Sequence, residues 1–312
     1  MQLYKSRDFG LFFQDTFAFL RKNGGHLFKN YFIINGGFLL ILMVLGYFFL
    51  KFYSEILFGG IENNPSEIEQ FINENAGTYL IFMLVFLFVA LAAGVTQYAF
   101  VPIYLKLYAK HDSKAFKASD IFDEYKRNIG KICIFLLCSI LLIIPIGIVA
   151  FIISFILMIT IIGMLMLPVV VGAVSLLFQS TLMEYIEGKK SIWDAFGYAW
   201  TVISSKFWAA IICVGLFFLM SYIVQNVVTL VPYFIFLGDL LMGIESGTNP
   251  DPEELTKSAM VLFALMFILT FVFSIVLNVI VQLNQGVVFY SLKEDIENIN
   301  TKSDIDLIGT GE

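Results

Sequence analysis

Charge is what this sequence has least of. Only 14% of its 312 residues are Asp, Glu, Lys or Arg, and 59% are hydrophobic. Soluble domains carry about 25% charge and roughly 45–50% apolar residues. The imbalance excludes an ordinary water-soluble domain. The formal charge of −6 gives no basic surface for a nucleic-acid partner. Histidine is nearly absent: His26 and His111 stand alone, each without a catalytic or metal-ligating neighbour in sequence. No HExxH, GxSxG, P-loop or Gly-rich dinucleotide fingerprint occurs. The sequence therefore predicts no catalytic residue, no metal and no cofactor. Cys133, Cys138 and Cys213 have neither metal nor disulfide spacing and read as small packing residues. No secretory leader is expected either. The first uncharged apolar run follows Lys29, is too long for a leader core and lacks a small-residue cleavage site.

What is present is long apolar segments. Residues 31–50 carry no charge, and Lys131 and Glu184 bracket 52 uncharged residues. About 20 apolar residues cross a hydrocarbon core of roughly 30 Å, so the longer run holds two spans and a turn. The reading is an all-α integral membrane protein with six spans, at 30–50, 79–105, 132–154, 156–183, 207–230 and 259–290. The turn between the third and fourth falls between Phe151 and Gly163, with no polar residue assigned to it. Pro145 and Pro168 lie inside these two spans, where proline is better tolerated than in soluble helices.

Lys and Arg give the orientation. With the N-terminus inside, 17 of the 19 basic residues face the cytoplasm, and only Lys51 and Lys257 lie outside. The positive-inside rule then predicts both termini to be cytoplasmic. The two longer outer loops are acidic, carrying Glu55, Glu62, Glu67, Glu69 and Glu74, then Glu245, Asp251, Glu253 and Glu254. They read as solvated loops or as a docking face for a basic partner or cation. Helix starts are expected at Ser66 and at Asp251-Pro252.

A threefold pattern recurs on the cytoplasmic side. Asp15, Asp120 and Asp194 each precede a Phe by two positions (Phe17, Phe122, Phe196). His26, Lys131 and Lys206 follow nine or ten positions after that Phe, where a span begins. Phe9, Phe12, Phe13, Phe17 and Leu20 share one helical face, as do Ile192, Trp193, Phe196, Trp200 and Ile203. Ser191 is placed to cap the latter, with Asp194 three residues on. Such stretches predict amphipathic helices lying in the membrane interface. The unit would be one in-plane helix plus two spans, giving parallel repeats 8–108, 117–187 and 191–292 with a cytoplasmic tail at 293–312. The alternative is the common grammar of basic, aromatic membrane boundaries.

Polar residues within spans carry the candidate sites. Gln97, Gln179 and Gln285 each stand before a Tyr on the even-numbered spans, and Asn278, Gln282 and Gln285 share a face of the last. They read either as interhelical hydrogen-bonding groups or as the lining of a polar cavity. Gln225 and Asn226 are candidate partners of that face. Glu184 reads as a surface acid or a partner of Lys189 or Lys190. Lys106, Lys110, Lys114 and Lys117 are candidate contacts to anionic lipid headgroups.

The stretch from Ser191-Ile192-Trp193-Asp194-Ala195-Phe196 through Trp200 to Lys206-Phe207-Trp208, with Pro168 before it, resembles a bacterial and archaeal six-helix membrane-protein superfamily. The Asp15-Thr16-Phe17 stretch resembles the same proteins' N-terminal region. The superfamily includes the membrane domain fused to some glycerophosphodiester phosphodiesterases and the YciC-like membrane proteins. The resemblance implies a six-helix protein of the bacterial inner membrane without catalytic residues of its own. The expected function is a non-catalytic scaffold or accessory protein acting on membrane lipids or a membrane-protein partner. The alternative is a channel or transporter for a small polar or amphipathic solute.

Overall fold

The structure, a computed structural model, describes residues 1–62, 65–111, 114–245 and 252–300, without the side chains of 51–75, 239–240 and 242–257. All regular structure among the described residues is helical: α1 (Phe9–Glu62), α2 (Pro65–His111), α3 (Ala118–Leu157), α4 (Ile161–Glu187), α5 (Ile192–Ser205), α6 (Phe207–Glu245) and α7 (Pro252–Glu297). All but the 14-residue α5 are long and apolar enough to cross a membrane. The chain is thus an all-helical, multi-pass membrane protein. At 1.5 Å per residue, α4 extends about 40 Å and α1 about 80 Å; the helices continue well past what a bilayer core requires.

The helix boundaries follow from local chemistry. The turn between α3 and α4 occupies residues 158–160, and a polar residue does mark it: the Thr160 hydroxyl accepts from the Gly163 amide at 2.9 Å. Ser191 caps α5 as its spacing predicts, accepting from the Asp194 amide at 3.3 Å. The start at Pro252 is also where expected, whereas α2 begins at Pro65, just before Ser66. The acidic side chains between Glu55 and Glu74 and between Glu245 and Glu254 lie outside the described residues.

The three stretches that begin at Asp15, Asp120 and Asp194 differ. The first two continue unbroken into the spans of α1 and α3; only the third is a separate helix. There the Ser205 hydroxyl takes the Val202 carbonyl at 2.7 Å, and Lys206 leaves helical geometry at φ −134°, ψ 51°. A serine hydroxyl that competes for a helix carbonyl favours such an ending.

The chain divides into two compact units: Met1–Ile34, Gln97–Ser221 and Leu277 onward form the first, Asn35–Thr96 and Tyr222–Val276 the second. In the second unit, Gly46 of α1 leaves room for the Phe267 ring of α7, which would overlap any Cβ there. Gln225 donates to the Thr270 carbonyl at 3.1 Å, and the Thr229 and Thr270 hydroxyls meet at 3.3 Å. Asn226 turns back to the Tyr222 carbonyl of its own helix. Asn278, Gln282 and Gln285, the face of α7 suggested as their partners, belong to the first unit.

In the first unit α4 packs against α3 and α5. It also approaches α6 backbone to backbone: a Cβ at Gly172 would lie 2.9 Å from the Gly215 nitrogen, and one at Gly215 2.7 Å from the Val169 Cα. Glycine permits this close contact between spans.

Burial here is inverted relative to a soluble protein. Arg7, Glu124, Gln179, Glu184, Asn284 and Lys293 are buried, while Ile140, Ile144, Phe151 and Phe155 are exposed. Lipid tails are as apolar as Leu, so the hydrophobic face need not turn inward. The expected faces shift accordingly. In α1, Phe12, Thr16, Phe19 and Asn23 are buried, while Phe9 and Phe17 are exposed. In α5 the buried stripe runs through Ala195, Ala199 and Val202, and Trp193 and Trp200 face outward.

Candidate functional site

Four charged groups meet where α4, α5 and α7 end or begin in the first unit. Glu184, on the last turn of α4, has no exposed surface; Lys293 of α7 is 1% exposed. The Lys293 ammonium lies 2.6 Å from carboxylate oxygens of both Glu184 and Glu187, and Lys190 lies 2.6 Å from the other Glu184 oxygen. Two acids and two ammoniums make the group neutral. Such a balance is what allows charges to remain inside a low-dielectric interior. Tyr198 of α5 lays its ring 3.8 Å from Lys190 and gives its hydroxyl to Glu297. Tyr4 donates to Glu187 at 3.5 Å. Burial first, then the nearby carboxylates, holds both phenols well above the ordinary tyrosine range. Glu184 is therefore not a surface acid, and its partners are Lys190 and Lys293. Lys293 belongs to this interior and not to a tail.

A second ionic group closes the other side of the α4 terminus. Gly188 ends α4 at φ 85°, a left-handed conformation that glycine adopts without strain. Lys106 donates to the Ile186 carbonyl at 2.6 Å and pairs with the buried Glu124 at 2.6 Å. Lys131 lies 3.4 Å from the Tyr185 carbonyl. Cations suit the negative end of a helix dipole. Arg127 and Asn128 complete the partners of Glu124. Among the described residues Lys131 has no carboxylate within ion-pair distance.

Arg7 fastens the segment before α1. Its guanidinium pairs with Asp15 at 2.8 Å and donates to the carbonyls of Gln2, Leu3 and Lys5 at 2.7–2.9 Å. Burial lowers its pKa from the usual arginine value, and Asp15 opposes that shift. His26 lies between Tyr104 and Phe116: Nε2 is 3.0 Å from the Phe116 carbonyl and Nδ1 2.9 Å from the Tyr104 hydroxyl. A carbonyl only accepts, so Nε2 donates to Phe116, while the Tyr104 hydroxyl is able to donate to or accept from Nδ1.

The candidate polar residues are separated into distinct contacts. Gln97 accepts from Tyr31 at 3.0 Å, Gln285 donates to Ser175 at 2.7 Å, and Gln282 donates to Asn278 at 3.0 Å. Asn278 is exposed, against the expectation that its face turns inward. Asn284 donates to the Thr16 hydroxyl at 3.0 Å. Gln179 is fully buried, and neither amide atom has a partner among the described residues. Of the candidate headgroup contacts, Lys106 is occupied by Glu124. Lys110, Lys114 and Lys117 are exposed, Lys114 reaching the Lys22 carbonyl at 2.6 Å.

A groove of about 650 Å³ lies along α3 and α4, with Tyr98 of α2 at one end. Its walls are almost wholly apolar, and none of the candidate Gln and Asn residues lines it. An aromatic series floors the end nearer the charged groups: Tyr98 stacks on Phe135, Phe135 on Phe196, and Phe178 meets Phe196 edge-on. Ser139 is the polar exception with an unsatisfied group, its hydroxyl having no hydrogen-bond partner among the described residues. Comparison with protein-family models, curated proteins and solved structures finds no match to this chain.

The sequence marks none of Glu124, Lys293 and Arg7 as a site residue, and Lys131 only as one of the seven basic residues from Lys106 to Lys131 open to anionic headgroups. A signal existed for two of them, because Lys131 and Lys293 each stand at the boundary of an apolar run. Arg7 and Glu124 carry no comparable mark.

Proposed function

We propose that this is a non-catalytic membrane protein that works as a scaffold or accessory component through contacts with membrane lipids. The observation that carries the reading is the apolar groove along α3 and α4, which falls within two candidate spans. Exposed Ile140, Ile143 and Phe151 stand at its margin. At about 650 Å³ it falls within the roughly 300–1,000 Å³ of small-molecule sites, and its surroundings in a bilayer are acyl chains. Each described charged side chain that is buried has an ionic or backbone partner within the protein, which favours a structural role for them.

Both termini are cytoplasmic in this reading, on the distribution of Lys and Arg. The resemblance of residues 191–208 to the six-helix superfamily supports a bacterial inner membrane. The finer architecture belongs to the same proposal: α5 lies in the interface with Trp193 and Trp200 toward lipid, and the helices form three parallel repeats. A second reading, a carrier of a small polar solute, is favoured by the unpartnered amide of Gln179.

Native mass spectrometry of the protein drawn from its own membrane in nanodiscs tests the proposal. Phospholipid or a protein subunit retained in fixed ratio is the expected result. A bare chain would refute it, and solute flux lost in Gln179→Leu would establish carriage instead.

A further inference from the structure

We infer that the α3–α4 groove holds one acyl chain of an anionic phospholipid, whose phosphate meets the ammonium of Lys131. The inference rests on the lipid-contact reading above and makes it specific. The lining on α3 runs from Phe135 to Ser154, roughly 28 Å along the helix. A single leaflet of the hydrocarbon core is about half of 30 Å deep, so the groove takes the full length of a tail.

Lys131 stands one turn before Phe135 on α3, at the end of the groove. Its ammonium lies near the Tyr185 carbonyl and Gly188, not across from an acid. Its neighbours differ: Lys106 is neutralised by Glu124, and Lys190 and Lys293 by Glu184 and Glu187. Among the described residues Lys131, like the exposed Lys189, has no carboxylate within ion-pair distance; Lys131 is the one of the two that stands on α3, one turn from the groove lining. Trp193 is exposed on the adjoining α5, and its ring meets Phe196, which packs behind the lining residues Phe135 and Phe178; Trp prefers the headgroup level of a bilayer. Aromatic side chains at one end, an exposed Trp beside them and a cation without an ion-pair partner at that mouth suit a tail with an anionic head, not a free anion or a hydrocarbon alone.

Two positions let the groove be filled without disturbing the fold. Gly147 lines it, and a Cβ there would meet nothing within 4 Å. Val171 lines the α4 wall and is exposed. The test uses the full chain in nanodiscs containing phosphatidylglycerol with a diazirine near the end of one acyl chain, and maps the crosslinked peptides. Phosphatidylcholine carrying the same tail is the comparison. Crosslinks concentrated on 139–154 and 170–178, stronger with phosphatidylglycerol, are expected. Gly147→Phe and Val171→Trp should each remove most of them. Lys131→Gln should lower retained phosphatidylglycerol about fivefold, the equivalent of the roughly 1 kcal/mol a basic residue contributes near a membrane surface.

Crosslinks spread evenly over all spans, or undiminished in both filled variants, would overturn the site. Equal retention of the two lipids, unchanged in Lys131→Gln, would overturn the headgroup assignment. Lipid or a subunit retained in fixed ratio but crosslinked elsewhere defeats this site and leaves the broader reading intact. Retention of neither defeats both.

Discussion

Replacing Glu184 by Gln removes one negative charge from a neutral group of four and changes little else in shape. Lys293 then keeps Glu187 at 2.6 Å, but Lys190 loses its carboxylate. Breaking a buried pair by deleting one partner costs about 3–5 kcal/mol. Because Glu187 still compensates Lys293, the loss should sit near the lower figure, about 3 kcal/mol. Lys293→Met is harsher. It leaves Glu184 and Glu187 together with only the partly exposed Lys190 to balance them, so a loss near the upper figure, about 5 kcal/mol, is expected. The double variant removes one charge of each sign and should be less destabilised than the two losses added together. The assay is a double-mutant cycle on unfolding free energies in a fixed detergent, with helical circular dichroism as the signal. A coupling energy of at least 1.5 kcal/mol, well outside the roughly 0.3–0.5 kcal/mol within which distant sites add, supports the buried quartet. Single variants within about 0.5 kcal/mol of the parent, as for ordinary surface substitutions, would refute it.

Arg7→Lys keeps the charge facing Asp15 but cannot reproduce the guanidinium bonds to Gln2, Leu3 and Lys5. It should cost about 2 kcal/mol, at the scale of charged hydrogen bonds, and speed proteolysis within the first eight residues. Gly172→Ala places a methyl group against the α6 backbone. A loss of about 1–3 kcal/mol is expected, measured by thermal unfolding, while Gly197→Ala, open at its Cβ, should cost nothing. Tyr4 and Tyr198 have folded pKa values raised above the ordinary 10.0. The folded state then binds more protons than the unfolded state above that pH, so their contribution is complete below about pH 10 and falls as pH rises. Phenolate absorbance titrated alongside unfolding should show less alkaline destabilisation in Tyr198→Phe; an unchanged profile would contradict the burial of that phenol.

The spans were legible because hydropathy over some twenty residues is a strong signal, and the Ser191 cap because its spacing is local. Which way each helix faces was not. Phe9 and Phe17 share a sequence pattern with Phe12, yet Phe12 is buried and the other two are exposed. When the solvent is hydrocarbon, apolarity does not separate core from surface. The polar side chains carry that information instead: Thr16, Asn23, Gln179 and Asn284 all point inward. Read in that way, Glu184 would have been placed inside. Its partner would still have been hidden, because nothing local links it to Lys293. The groove was equally invisible, since it depends on how α3 and α4 diverge and on the absence of a side chain at Gly147.

Glu184 and Lys293 are 109 positions apart in the chain. At a synthesis rate of 5–20 residues per second, roughly 5–20 s separate their emergence from the ribosome. During that interval α4 already exists while Glu184 and Glu187 have only Lys190 for company. The carboxylates lack the Lys293 countercharge until α7 arrives. The last span supplies the missing countercharge: a chain that stops short of Lys293 leaves Glu184 and Glu187 with Lys190 as their only ammonium in this group.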